Sequence, residues 1–339
     1  MMLSVLRSRV AAILGVAGLA LAMGASARPQ STPSYDPPQH TLPPPAVGAS
    51  PADYASYADQ GMQIERDRGP QWELAEHRRL DRALAALQPQ RKGVVDAYVV
   101  AVALDSDPVF GREAREAGKV LSRRYDAAGR TIVLAGSDGS AESGLPRGSP
   151  ETLSLVLARI AELMDPKEDV LVLYTTSHGA PLGIVYNDGN QGYGAISPAR
   201  LWNLFGTLGI EKRLVIISAC YSGVFVPMLA TEDSVVITAA SSERTSFGCQ
   251  ADSDWTFFGD ALINHALRKP QPLAAADDEA KRLIVAWEAK GRLTPSDPQI
   301  SIGAKASTWL AALDRRTPGG TTPPVGRPAV TLLDTLAAR

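Results

Sequence analysis

The chain has 339 residues, with 34 Lys and Arg against 36 Asp and Glu, for a formal net charge of −2. No basic block interrupts it, which argues against nucleic acid or an anionic membrane surface as a partner. Its two cysteines, Cys220 and Cys249, are too few for a disulfide framework, though they could pair with each other as a single bridge.

Arg7 and Arg9 give the chain a charged start. Val10–Met23 is an apolar run, and Ala25-Ser26-Ala27 has the form of a cleavage signal. The run is shorter than the roughly 20 residues a membrane span needs. Residues 1–27 therefore read as a signal peptide. The expectation is an exported protein, periplasmic or secreted, with no stable membrane insertion once the peptide is removed. Residues 28–52 follow as a Pro-rich arm, with eight prolines among the 24 residues of Arg28–Pro51. Such a stretch has too little apolar content to pack and reads as stiff, extended and disordered.

Residues 53–90 form an N-terminal helical extension. Tyr54–Leu87 is helical by pattern, broken at Gly69-Pro70, with Trp72, Leu74, Leu80, Leu84 and Leu87 on one face. Residues 91–314 carry the main domain. Val94–Leu104 is an apolar run that predicts a buried strand, and Asp105-Ser106-Asp107-Pro108 is the loop after it. Phe110–Tyr125 has helical spacing, and Thr131–Ala135 is a second strand. Gly136–Ser149 is a Gly/Ser loop, and Ser149-Pro150 starts the next helix.

Val170–Tyr174 is a continuous apolar run, so it predicts a strand buried on both faces. It ends in Thr175, Thr176, Ser177, His178 and Gly179. Leu214–Ile217 repeats the pattern and ends in Ser218, Ala219, Cys220, Tyr221, Ser222 and Gly223. Between them lie a short strand, Gly183–Tyr186, and a helix starting at Ser197-Pro198. Val235–Ala239 is a further buried strand. Trp255–Leu267 and Asp277–Ala289 read as helices, Gln299–Ile302 as a last strand and Ala306–Leu313 as a short helix. Residues 315–339 are a Pro/Gly-rich C-terminal tail, frayed over Arg315–Pro328. His77 and His265 read as helix-surface residues and His40 as an exposed linker residue.

Strands alternating with helices predict an α/β fold with a mostly parallel sheet covered on both faces. Ligands of such sheets sit at the carboxyl ends of strands. A His and a Cys leaving two strands would meet at one rim, as nucleophilic thiol chemistry requires. Four His and two Cys show no metal-ligand spacing, so neither a metal nor a cofactor is expected.

The pair Thr176-Ser177-His178-Gly179 and Ser218-Ala219-Cys220-Tyr221-Ser222-Gly223 resembles the caspase-like cysteine peptidases. Ile237-Thr238-Ala239-Ala240 and the loop to Ser246-Phe247-Gly248-Cys249, with Gly259-Asp260 beyond, is similar to the legumain family. That family includes asparaginyl endopeptidases and the catalytic subunit of the glycosylphosphatidylinositol transamidase. The resemblance covers roughly Val94 to Leu267 and is that of a bacterial exported member.

It implies a caspase-like three-layer α/β/α sandwich and a cysteine endopeptidase acting on peptide or protein substrates. Cys220 would be the nucleophile and His178 the general acid/base. The N–H groups of Gly179 and Cys220 would form the oxyanion hole. A helix starting after Cys220 would favour its thiolate. Ser246 and Asp260 match specificity-pocket positions, and Ser218 and Arg112 are further candidates for contact with substrate. Two features depart from the family. Ser218 stands where legumains carry Glu, which leaves the preference at the cleaved bond open. The first-strand loop lacks a supporting Asn for His178. Asp188 reads as a turn residue. The alternatives are a transpeptidase or transamidase using the same dyad, and a catalytically inactive binding module of the same fold.

Overall fold

The computed structural model describes residues 39–42, 50–136 and 143–337. The expected signal peptide, most of the Pro-rich arm and the tip of the Gly/Ser loop lie outside the described residues.

Apolar runs build a six-stranded sheet. Its members are β2 (Ala97–Ala103), β3 (Thr131–Leu134), β4 (Val170–Thr176), β8 (Arg213–Ser218), β9 (Ser234–Thr238) and β10 (Gln299–Ile302). The order is β10-β9-β8-β4-β2-β3, with every pairing parallel except the antiparallel β10–β9 edge. All seven residues of β2 and of β4 are buried. That matches unalternating apolar runs covered on both faces.

Alternate residues of each strand feed two separate cores. On one face Val99, Val172, Tyr174, Ile216 and Ile237 pack under α3 (Pro108–Arg124), α8 (Leu273–Gly291) and α9 (Ala306–Asp314). On the other, Val100, Leu171, Leu173 and Ile217 pack under α2 (Pro70–Ala85), α4 (Pro150–Leu163) and α5 (Pro198–Leu208). The result is a three-layer α/β/α sandwich. The helices α4 and α5 begin as read, with Ser149 and Ser197 accepting from the backbone N–H three residues on.

The N-terminal extension is not helical throughout. It holds α1 (Pro51–Gln60), strand β1 (Gln63–Glu65) and then α2. Gly61, at φ 70°, stops α1 in the left-handed region that an L residue avoids. Strand β1 then pairs with β7 (Gly192–Ile196) in a small antiparallel sheet, β1-β7-β6-β5, completed by β6 (Gly183–Asp188) and β5 (Gly179–Ala180). Only β6 was legible from sequence. Glycines at 192 and 194 mask β7, and β1 and β5 are too short to show a period.

The C-terminal tail packs against the body instead of fraying. The Ala329 N–H donates to Asp260 (2.7 Å), and the Trp255 indole N–H donates to the Val325 carbonyl (2.8 Å). Ala329 and Leu333, the latter in α10 (Leu332–Ala337), join the first core. The segment lies against a helical run that opens as α7 (Phe257–Gly259), widens to a π-helix over Asp260–His265 and tightens over Ala266–Arg268. The chain steps from β2 out to β3 and back across to β4, so the sheet reverses direction between β2 and β4. A crevice opens at the carboxyl ends of strands on either side of such a reversal.

Candidate active site

Strands β4 and β8 pair with Thr176 opposite Ser218, and the Ser177 N–H donates to the Ser218 carbonyl at 3.2 Å. His178 and Cys220 each stand two residues past that register pair. They leave neighbouring strands, which run about 4.8 Å apart, on the same rim. Gly179 brings the two backbones together: a Cβ at this position would lie 2.0 Å from the Cys220 carbonyl oxygen and 3.0 Å from its nitrogen. Only a residue without a side chain permits that approach.

The turn after Cys220 is not an α-helix N-terminus. Tyr221 takes a left-handed φ of 57°, its N–H donating to the Arg244 carbonyl (2.8 Å). A 3-10 turn over Ser222–Phe225 follows, then only four residues of α6 (Val226–Leu229). The helix-dipole effect expected on the thiol is therefore replaced by closer donors. The Ser246 N–H points at Cys220 Sγ from 3.3 Å, and Ser246 Oγ lies 3.6 Å from the sulfur. Cys249 is a free thiol, as is Cys220. The nearby Cys249 thiol is the largest influence lowering the Cys220 thiol to about 6; Ser246 and the charge of His178 add to it, against the opposing effect of burial. The Cys249 thiol itself is pushed well up, by the same contact, by burial and by the charge of Glu113. It therefore stays protonated and able to donate.

His178 has a carboxylate partner in Asp107, whose Oδ2 lies 3.6 Å from Nε2. The ring edge meets Phe110 at 5.0 Å between centroids. Asp107 raises the imidazole above its ordinary value, with the charges of Asp105 and Cys220 adding and burial opposing. Asp107 is held low in turn, mainly by His178. Buried Asp105 is pushed up to about 6 by loss of solvent. Asp107 stands beside His178, where the sequence offered no Asn. Its signal was available, because the Asp105–Asp107 loop leaves β2, the neighbour of β4, at the same rim.

Ser218, standing where the resemblance implies Glu, donates to a carboxylate supplied by another element. Its Oγ lies 2.9 Å from Glu113 Oε1. Glu113, on α3, is 0 % exposed and also accepts from Tyr174 (2.5 Å), Thr176 (2.8 Å) and both the N–H and hydroxyl of Thr256 (3.0 and 2.8 Å). Sequence reasoning passed over it in favour of Arg112, the residue before it. Arg112 donates to the carbonyls of Ser253 (2.6 Å) and Ala251 (3.3 Å). Asp260 is also directed elsewhere: fully buried, it accepts from Asn264, His265 and the Ala329 N–H. Of the four residues named for substrate contact, only Ser246 touches the Cys220 sulfur. Asp188 ends β6 and pairs with Arg68 at 2.5 Å.

His40 is no free linker residue. It lies 3.5 Å from Asp107 and 3.8 Å from Asp105, and these three are the described residues spaced to hold a cation.

Three comparisons bear on this arrangement. No curated protein matches the chain. Among solved structures, the chain is similar to caspase-1 from Spodoptera frugiperda at 16% identity and a TM-score of 0.41, over 63% of this chain and 88% of that one. A family model, that of the Peptidase C13 family, matches residues 153–283. This segment, less than half of the chain, carries His178, Gly179, Cys220, Ser246 and Cys249, and over it the chain is similar to the Peptidase C13 family.

Proposed function

We propose that the protein is a cysteine endopeptidase in which Cys220 is the nucleophile and His178 the general acid/base. The observation that carries this reading is the joining of the two strand ends, where Gly179 lies against the Cys220 backbone and the thiol is lowered to about 6. A thiolate is then abundant at neutral pH and attacks a peptide carbonyl. The N–H groups of Gly179 and Cys220 receive the developing oxyanion, a contribution of several kcal/mol in comparable sites. His178, held through Nε2 by Asp107, is left with Nδ1 to pass its proton to the leaving amine. The C–N bond breaks, the amine departs and a Cys220 thioester remains. Water attacks that thioester while His178 takes its proton, and the acid is released with the thiol restored.

Arg7, Arg9, the apolar run and Ala25-Ser26-Ala27 support action outside the cytoplasm. The test is a peptide-library cleavage assay under reducing conditions, with Cys220→Ala as control. Cleavage that disappears in Cys220→Ala is the expected result. Cleavage that survives in it, or its absence from the parent with Cys220 unreactive towards an electrophilic peptide, would overturn the proposal.

A further inference from the structure

We propose that Gln39–Leu42 is an intramolecular ligand of the catalytic rim, and that while docked it draws Asp107 away from His178. The inference rests on the peptidase reading for its kinetic consequence, but not for the docking itself.

The segment is held by directional contacts on a surface built from the β2 loop and the small sheet. The Asn187 amide donates to His40 Nδ1 at 2.9 Å, which leaves Nε2 as the protonated nitrogen, and Nε2 faces Ser106 Oγ at 3.1 Å. The Leu42 N–H donates to Asn190 Oδ1 (2.7 Å), and the Asn190 amide donates to Thr41 Oγ1 (2.7 Å). The Tyr193 hydroxyl donates to the Leu42 carbonyl (3.3 Å). Both main-chain groups of Leu42 are thus read as those of a bound peptide would be. Leu42, about half exposed, lines an apolar cavity of about 280 Å³ together with Tyr54, Tyr57, Ala180 and Val185. Ala180 is two residues from His178, so the cavity adjoins the dyad. In sequence the segment is bracketed by Pro37-Pro38 and Pro43-Pro44-Pro45. Prolines restrict the free chain and so lower the ordering cost of docking.

The consequence lies in one carboxylate. Asp107 presents Oδ2 to His178 Nε2 at 3.6 Å and Oδ1 to His40 Nε2 at 3.5 Å. Both distances exceed that of a good charge-assisted hydrogen bond, about 2.7–2.9 Å. A carboxylate shared between two imidazoles serves neither fully. With His40 withdrawn, Asp107 closes on His178 and fixes the ring that must transfer the proton. Asp107 is a positioning residue in this scheme, and His40 competes for it.

The test uses the full chain carrying His40→Ala, with Asn190→Ala as a second variant that weakens the receptor side. The probe is a fluorescent peptide of residues 37–44, Pro-Pro-Gln-His-Thr-Leu-Pro-Pro. It is expected to bind His40→Ala, whose own segment is loosened, and to bind the parent poorly. His40→Ala should turn over a short fluorogenic peptide about tenfold faster than the parent, the effect of one strengthened hydrogen bond on the acid/base. Adding the probe peptide should return the rate to that of the parent, whereas the same peptide with Ala in place of His should not. In the NMR spectrum of His40→Ala, the His178 ring signals should shift back towards their parent positions as the peptide is added. Equal rates for parent and variant, or a peptide that binds without moving the His178 signals, would overturn the inference. If no form turns substrate over, the peptidase reading fails, and the binding and NMR measurements still decide the docking.

Discussion

Glu113→Gln is the change whose cost can be worked most fully from the structure. Glu113 is a fully buried carboxylate whose five hydrogen bonds all come from neutral donors on β4, β8 and the turn at Thr256. The Thr256 N–H cannot rotate, so the amide oxygen must take the place of Oε2. The NH₂ group then takes the place of Oε1, where it meets three hydroxyl oxygens with two hydrogens. All three hydroxyls lose their acceptor, at least one gains no hydrogen bond from the amide, and the remaining bonds become neutral. A bond to a charged group contributes about 1.5–3 kcal/mol and a neutral one about 0.5–1.5. Part of this loss is offset, because the amide carries no buried charge. The expected net destabilisation is about 2–4 kcal/mol, and Glu113→Ala, which leaves every donor unmet, should exceed about 4. Urea unfolding followed by the fluorescence of the five tryptophans measures both. The Gln variant should also lower the Cys249 thiol, since Glu113 helps to hold it up. A Gln variant within about 0.5 kcal/mol of the parent, the range of an ordinary surface change, would refute the view that this carboxylate ties the site together.

Four further outcomes follow from the site. Alkylation of Cys220 by iodoacetamide should be half-maximal near pH 6, because the thiolate is the form present above the lowered thiol value of about 6; Cys249→Ala removes the strongest lowering contact and should move that midpoint up. Asp107→Asn should bring His178 down towards its ordinary value. The imidazolium exists below that value, so the alkaline limb of the kcat/KM profile should shift to lower pH. Gly179→Ala drives a methyl into the Cys220 carbonyl and should cost about 100-fold or more in kcat, the scale of losing an oxyanion donor, with unfolding measured alongside to separate stability from rate. Asp260→Ala should loosen the segment around Ala329, seen as faster amide exchange there, without changing which peptide bonds are cut.

The amino-acid sequence by itself carried the frame and the placement of His178 and Cys220 at one rim. Long β-branched runs have no stable place except a strand covered on both faces. The residues that end those runs must therefore emerge at a rim, and His178 and Cys220 could be read from that constraint alone, whereas Gly179 was implied by the family resemblance. Ser246 followed from likeness to a family, and the structure sets it against the sulfur. The groups that tune this pair could not be read in the same way. Glu113 lies on the inner face of an ordinary amphipathic helix. Its meaning appears only when β4, β8 and Thr256 converge on it, from positions up to 143 residues away. Cys249 could have been a disulfide partner or a core thiol by sequence, and its setting beside Cys220, Ser246 and Glu113 makes it a donor. Arg112 and Asp260 show the converse: charged residues at family-like positions whose side chains are drawn off by nearby carbonyls and by the C-terminal segment. Local propensity and periodicity decide which backbone a stretch adopts, so they are legible residue by residue. Which polar group satisfies which buried partner is decided between distant elements, and only the packed sheet order brings those elements within hydrogen-bond range.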